Sequence, residues 1–156
     1  MKTKLFTLAL LLISAGSFAQ NTADAEEVKK ACITETENFD KRDLPAILAG
    51  FADVPYASRY WTNNAYNGAA TIRAVYTKYV TGPPQASSTK RERSNWQLQP
   101  LGDKHFWATY DQTSTGPDGK VSYSKEVRLL EKVVQSGGAG QWKLVSVINL
   151  PMPEPK

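Results

Sequence analysis

The chain has 156 residues, of which 41% are hydrophobic, a formal net charge of +4 and a single cysteine. Two of the positive charges, Lys2 and Lys4, lie at the very start, so the rest of the chain is only mildly basic and does not indicate a nucleic-acid partner. One cysteine excludes an intramolecular disulfide framework, and the length suits a single domain with a hydrophobic core.

Residues 1–19 have the pattern of an export signal. Two lysines precede an apolar run, and Ser17 and Ala19 place small residues at the −3 and −1 positions of a cleavage site. The run is too short for a stable membrane span, and no cysteine follows the site to carry a lipid. We therefore predict cleavage after Ala19, a flexible lead over residues 20–25, and a periplasmic or secreted protein without a membrane anchor.

Two helices are predicted next. Asp24 is placed to cap a helix from about Ala25 to Lys41, whose apolar stripe is narrow. Asp43 is placed to cap a short second helix, with Pro45 in its first turn. The positions expected to be buried on these helices are Val28, Ala31, Cys32, Phe39, Leu44, Ile47, Leu48 and Phe51.

The segment VPYASRYWTN, residues 54–63, predicts one extended strand, and a third helix follows within residues 66–84. Asn67 is the expected N-cap of that helix, Lys78 favours its C-terminus, and Gly82 with two prolines ends it. The stripe that this helix turns toward the sheet consists of Ile72, Val75, Tyr76, Tyr79 and Val80.

Four strand-like runs fill the second half of the chain: TKRERSNWQLQPL, KHFWATYDQTST, KVSYSKEVRLLEKVV and QWKLVSVINLP. Short polar turns between them favour antiparallel neighbours. The last run is apolar on both faces, which indicates a central strand. The charged KRER run suits an edge strand, where charge opposes pairing with other chains; binding of a polyanion is the alternative. The order of elements predicts an α+β domain with helices on one face of a bent antiparallel sheet.

Several segments carry a resemblance to a known superfamily: EEVKKACITETENFDKRDLPAILAGFADV, NGAATIRAVYTKYV, GPDGKVSYSKEVRLLEKV and QWKLVSV. From about Glu26 to Pro151 the chain resembles the nuclear transport factor two-like superfamily, and within it the SnoaL-like group. The resemblance implies a cone-shaped domain over residues 26–151, in which three helices close over a strongly curved sheet, and a tail over residues 152–156. It also implies a pocket between helices and sheet and a homodimer through the outer sheet face.

The catalytic residues of ketosteroid isomerase, an enzyme of this superfamily, are mostly not retained. That enzyme uses an aspartate base, with a tyrosine and a protonated aspartic acid as hydrogen-bond donors. The tyrosine falls at Glu35, and the base falls among Trp61, Thr62 and Asn63. Only the strand carboxylic acid has a counterpart, Glu126, so we do not expect isomerase chemistry of this type.

His105 is the single histidine and a second, weaker catalytic candidate. Its ordinary pKa suits general acid–base work, and Asp111 or Glu126 could orient it in a lyase, hydratase or isomerase. The alternative is an exposed histidine beside a turn. One histidine with scattered carboxylates gives no metal-ligand spacing, so neither a metal nor a cofactor is predicted.

The ligand-binding candidates are aromatic and charged. Glu126 and Arg128 share one face of a strand, where they would hold a polar ligand group if that face lines the pocket, or form a solvated ladder if it faces water. The aromatic residues either stack on a ligand or pack a core. The resulting hypothesis is an exported small-ligand-binding domain; the alternatives are an enzyme that uses His105 and a dimeric interaction module with a filled core. The candidate ligand-binding residues are Tyr56, Tyr60, Trp61, Tyr76, Tyr79, Trp107, Glu126 and Arg128.

Overall fold

The computed structural model describes residues 3–61, 63–83, 90–134 and 138–155, so Thr62 lies outside the described residues. Side chains are described from Thr22 onward. The helices of this part of the chain are α1 (Thr3–Lys41), α2 (Leu44–Ala49) and α3 (Ala69–Thr81). The strands are β1 (Ser58–Trp61), β2 (Asn64–Asn67), β3 (Lys90–Leu101), β4 (His105–Thr115), β5 (Val121–Val133) and β6 (Gln141–Met152).

The strands form one sheet in the order β2-β1-β6-β5-β4-β3. Strands β3 to β6 are an antiparallel meander, and β1 joins β6 in parallel while pairing antiparallel with β2. This topology confirms the predicted α+β architecture. The strands of the meander are antiparallel because short turns between consecutive strands favour antiparallel neighbours. The inner position of β6 and the edge position of β3 also agree with the prediction.

The sheet is bent by two bulges. In β3 the register shifts between Ser94 and Gln97, where Asn95 has a φ of 52°. In the β5–β6 pair it shifts between Leu129 and Leu130. Because an extra residue in one strand bends it and increases its twist, these bulges curve the sheet and leave a concave face. Helix α1 packs over that face, against β3, β4 and β6.

The apolar core lies between the helices and one end of the concave face. Cys32 is fully buried there, as predicted for a small hydrophobic residue. Burial of each large apolar side chain contributes about 1.5–3 kcal/mol, so this cluster holds the helices on the sheet. Its members include Val28, Ile47, Ile72, Tyr76, Phe106, Ala108, Leu130, Leu144 and Val147.

The ends of the helices agree only partly with the sequence. Asp43 caps α2 as predicted, accepting a hydrogen bond from the Ala46 amide at 3.0 Å. Asp24, in contrast, lies inside α1 and does not begin it. Its carboxylate instead accepts bonds from Lys132 Nζ at 2.7 Å and Trp142 Nε1 at 3.2 Å, which fastens the helix to the sheet.

The predicted single strand before α3 is a two-stranded hairpin. Asn67 is the last residue of β2, where it pairs with Ser58, and it does not cap the helix. Gly68 is the N-cap, with a φ of 84° that a glycine adopts without steric cost. The predicted end of α3 is correct, since Gly82 follows its last residue and Lys78 lies in its last turn.

The described helices contain no apolar stretch of the length that a bilayer crossing requires.

Candidate functional site

A cavity of about 150 Å³ lies between α1 and the concave face of the sheet, beside the apolar core. Side chains two apart on a strand share a face, so Glu126 and Arg128 both point into it. The register places Glu126 beside Asn149 of β6, and Val147 of β6 between Arg128 and Arg59. The cavity is lined by Glu35, Thr36, Phe39, Arg59, Trp61, Arg91, Gln112, Glu126, Arg128 and Asn149.

Four charged side chains form a buried network at this cavity. Arg128 Nη2 lies 2.9 Å from Glu126 Oε2 and 3.5 Å from Glu35 Oε2. Arg59 Nη1 lies 3.8 Å from Glu35 Oε1. The exposed fraction is 2% for Glu126 and Arg128, 3% for Glu35 and 7% for Arg59. Removing such charges from water is costly, and their mutual pairing offsets that cost.

Glu126 is held by neighbours on three strands. Its Oε1 accepts hydrogen bonds from Ser124 Oγ at 2.9 Å, from Gln112 Nε2 at 3.5 Å and from Asn149 Nδ2, while Oε2 faces Arg128. A carboxylate with this many donors has its lone pairs engaged. Glu126 is therefore an anchored acceptor whose two oxygens are both engaged by neighbouring side chains.

Glu35 is kept ionised by its surroundings. Burial alone would raise its pKa, but the guanidinium groups of Arg128 and Arg59 outweigh burial and hold the pKa of Glu35 below its usual range. The Tyr76 hydroxyl adds a hydrogen bond to Glu35 Oε1 at 3.0 Å. Burial, followed by the charge of Glu35, raises the pKa of Tyr76, so this hydroxyl stays a donor at neutral pH.

Several polar atoms of the side chains that line the cavity are buried without a hydrogen-bond partner among the described residues. They are Nε and Nη1 of Arg59, Nε and Nη1 of Arg128, and Oε1 of Gln112. A buried group that lacks a partner costs about 1–3 kcal/mol. Two guanidinium groups therefore keep unsatisfied donors, and one amide keeps an unsatisfied acceptor, on residues that line the cavity.

The more exposed end of the cavity is built from an ion pair and an aromatic cluster. Arg91 contacts Asp40 through two bonds, Nε to Oδ2 at 2.8 Å and Nη2 to Oδ1 at 2.6 Å, which joins β3 to α1. Phe39 stacks on Tyr79 with ring centroids 4.3 Å apart, and Trp61 meets both rings edge-on. These contacts fix the helices relative to the sheet around the cavity.

The structure brings some of the predicted ligand-binding residues to this site. Glu126, Arg128 and Trp61 line the cavity. Tyr76 lies directly behind it through its bond to Glu35, and Tyr79 packs on Phe39. The face that carries Glu126 and Arg128 is thus the cavity face, which the sequence had left open.

Three of the predicted residues lie elsewhere, so their placement at the pocket is corrected. Tyr60 and Trp107 are 39% and 38% exposed, because each alternates with an inward-pointing neighbour and therefore faces outward. Tyr56 is 58% exposed before β1, where its hydroxyl donates to Glu131 at 2.8 Å.

His105 lies on the outer face of the sheet, away from the cavity. Its Nε2 is 3.9 Å from Glu131 Oε2, whereas Glu126 points inward from the same strand as Glu131. Asp111 is six residues along β4, about 20 Å away at the rise of a strand, and pairs with Lys125. The predicted pairing of His105 with either carboxylate is therefore wrong. The described residues contain no cluster of three or more potential metal ligands of the His, Cys, Asp or Glu type.

Arg59, Arg91, Gln112 and Asn149 were not predicted as site residues, and Glu35 was considered only as the replacement of a tyrosine. A local signal for Glu35 exists. It lies three residues after Cys32 and four before Phe39, which places a carboxylate on the buried stripe of α1. The strand residues carry no comparable signal, because their partners come from distant parts of the chain.

No protein-family model and no curated protein matches this chain. Solved structures do match. A protein assigned provisionally as a scytalone dehydratase, from Novosphingobium aromaticivorans, has a TM-score of 0.70 at 14% identity, covering 87% of this chain and 89% of its own. A ketosteroid isomerase-like protein from Erwinia carotovora has a TM-score of 0.62 at 16% identity, with 83% and 97% covered. A nuclear transport factor 2-like superfamily protein from Salmonella enterica has a TM-score of 0.63 at 17% identity, with 86% and 95% covered. The chain therefore has the nuclear transport factor two-like fold that its sequence predicted.

Proposed function

We propose that this domain of nuclear transport factor two-like fold binds a small polar molecule in the cavity between α1 and the concave face of the sheet. The observation that carries the proposal is a set of buried N–H groups on Arg59 and Arg128 that make no hydrogen bond within the described part of the chain. Both residues are more than nine-tenths buried and line a cavity of about 150 Å³. Buried donors without partners are costly, and apolar side chains of similar volume in place of buried charged ones often make a protein equally stable or more stable. A ligand that accepts from these donors removes that cost.

Binding is favoured over the alternatives by the same side chains. A purely structural module would fill its core, whereas this site keeps an open space lined by charge. An enzyme that works by proton transfer needs a group free to accept or release a proton. Here Glu35 and Glu126 are both engaged with Arg128, and His105 is on the opposite face of the sheet. We therefore propose a binding function without proton-transfer catalysis.

Two further parts of the proposal concern location and assembly. The signal pattern of residues 1–19 supports export of the domain over residues 26–151, after a short lead and before a short tail.

The outer sheet face carries large apolar side chains, Tyr60, Trp107, Leu150 and Met152, that are each 38–43% exposed. Such a face supports pairing with a second copy of this chain through the sheet.

Native mass spectrometry of the protein, purified from the cells that make it, tests the binding function. We expect a small-molecule adduct on the wild-type chain. Thr36 lines the cavity, so Thr36→Met should fill part of it and abolish the adduct. Thr34 is an exposed residue of the same helix, and Thr34→Met should retain the adduct. A wild-type protein without any adduct, whose cavity residues respond to no compound in a fragment screen by NMR, would overturn the proposal.

A further inference from the structure

We infer that the ligand is a small hydroxy acid, held by its carboxylate between Arg59 and Arg128 and by its hydroxyl at Gln112. This inference rests on the proposed binding function and adds the chemical class of the ligand. It follows from the position of the two arginines, from the balance of charge and from the orientation of one amide.

The two arginines line the same cavity and approach the carboxylate of Glu35 from different strands. Strands β1 and β5 flank β6, and the register places Arg59 and Arg128 on either side of Val147. Their guanidinium groups approach the two oxygens of the same carboxylate, since Arg59 Nη1 faces Glu35 Oε1 and Arg128 Nη2 faces Glu35 Oε2. Among the described residues, Nε of Arg59 and both Nε and Nη1 of Arg128 have no hydrogen-bond partner, and Nη1 of Arg59 has only its 3.8 Å ion-pair contact with Glu35. Carboxylates and phosphates are the oxyanions that arginine binds with well-defined geometry, through charge-assisted hydrogen bonds, and the balance of charge distinguishes the two.

The charge around the cavity matches one added negative charge. Arg93 lies in register with Gln112 on the cavity side of β3, and its buried Nε has no hydrogen-bond partner within the described chain. The guanidinium groups at and beside the cavity are those of Arg59, Arg91, Arg93 and Arg128, and the carboxylates are those of Glu35, Asp40 and Glu126. The formal sum is one positive charge. A monoanion neutralises it, a neutral ligand leaves it uncompensated, and a phosphate dianion exceeds it.

The amide of Gln112 provides the second contact. Its Nε2 faces Glu126 Oε1 at 3.5 Å, and because that oxygen is an acceptor the amide nitrogen belongs on this side. The amide oxygen therefore faces away from Glu126, where it is buried and has no partner among the described residues. It can accept a hydrogen bond from a ligand hydroxyl. A volume of about 150 Å³ corresponds to roughly five water molecules at ~30 Å³ each, which suits an acid of two to four carbons.

Isothermal titration of the full chain with glycolate and lactate tests the inference, with glycolamide and lactamide as neutral compounds of matched size. We expect saturable binding of the acids and at least about tenfold weaker binding of the amides, because the amides lack the charge that the arginines recognise. Arg59→Gln should weaken glycolate binding by at least about tenfold, and Arg59→Lys, which keeps the charge, should weaken it less. Arg73 is exposed on α3, so Arg73→Gln should bind glycolate as the wild type does.

The other possible results of the titration each overturn the inference or one of its arguments. Amides that bind as tightly as the acids overturn the carboxylate assignment and leave a site for small neutral ligands. Phosphate or sulfate that binds more tightly than glycolate overturns the argument from charge. No binding of any acid overturns the inference, and the native mass spectrum then shows separately whether another ligand occupies the cavity. If Arg59→Gln fails to fold, the comparison of acids with amides on the wild-type chain still decides.

Discussion

Glu35 of α1 and Arg128 of β5 form an ion pair across the interior of the domain, with Glu35 Oε2 3.5 Å from Arg128 Nη2. Arg128 also contacts Glu126 through the same nitrogen, so one guanidinium compensates two buried carboxylates. The pair joins the helical layer to the sheet at the cavity. The stability of this fold therefore depends on the charges that also define its candidate site.

Arg128→Met should destabilise the domain by about 3–5 kcal/mol, because it leaves Glu35 and Glu126 buried without their shared cation. Urea denaturation of the wild-type chain and the variant measures the difference. The exposed Arg73→Met serves as the control and should change stability by no more than about 0.5 kcal/mol. A loss of less than about 1 kcal/mol in Arg128→Met would mean that the buried pairing contributes little.

Acid should destabilise the domain through Glu35. Because the pKa of this residue is lowered in the folded state, its stabilising contribution is fully present above the unfolded-state value of about 4.3. The contribution is lost as the pH falls through the lower folded value. Urea unfolding between neutral pH and about pH 3 should therefore show a smaller pH dependence for Glu35→Gln than for the wild type. Glu37→Gln, an exposed position on the same helix, controls for charge loss; equal slopes in Glu35→Gln and the wild type would contradict the assignment.

Tyr76→Phe should cost about 1.5–3 kcal/mol, the usual contribution of a hydrogen bond to a charged group, because it removes the hydroxyl that donates to Glu35 at 3.0 Å. The acid transition should also move to higher pH, since the hydroxyl helps to lower the pKa of Glu35. Chemical denaturation at neutral and at acidic pH measures both effects. Tyr60→Phe, on the exposed outer face, is the matched change and should alter neither.

The thiol of Cys32 should be inert in the native protein. Burial raises the pKa of this thiol to about 12, and the side chain is fully buried. Only the thiolate reacts with iodoacetamide or aromatic disulfides, so labelling at pH 8 should require opening of the core. Mass spectrometry over time should show slow labelling in buffer and complete labelling in urea. Rapid modification of the native chain would contradict the packing of α1 on the sheet.

The proposed dimer makes a separate prediction. Trp107→Glu places a charge on the exposed apolar face of the sheet and should convert a dimer to a monomer in sedimentation experiments, because a charge buried at an interface is costly. Val134→Glu changes an apolar residue that is 70% exposed after β5 and should leave the assembly intact. A monomeric wild-type chain would overturn the proposed dimer.

The sequence predicted the elements of this fold better than it predicted the site. Asp43 and Pro45 mark the start of α2 through purely local chemistry, and they were located correctly. Which face of β5 is buried could not be predicted in this way. One face carries Val127 and Leu129, and the other carries Glu126 and Arg128. Polar side chains usually mark a wet face. Here that face is the interior, since its partners are Glu35, Gln112, Ser124 and Asn149.

Sequence periodicity does not show which residues that are distant in the chain will pair with each other. The cavity combines side chains of α1, β1, β3, β4, β5 and β6. None of these segments alone shows whether its charged residues will meet an opposite charge or water. The fold could be predicted from local patterns and a resemblance, whereas the site required the register of the assembled sheet.

The buried network also has a consequence for the order of folding. Glu35, Arg59 and Arg128 come from the first helix, the first strand and the fifth strand, so no two of them are neighbours in the chain. An intermediate that collapses with one of these segments missing would enclose an uncompensated charge and would be penalised by several kcal/mol. Compact states short of the native one are therefore poorly populated, and unfolding of the domain should be all-or-none.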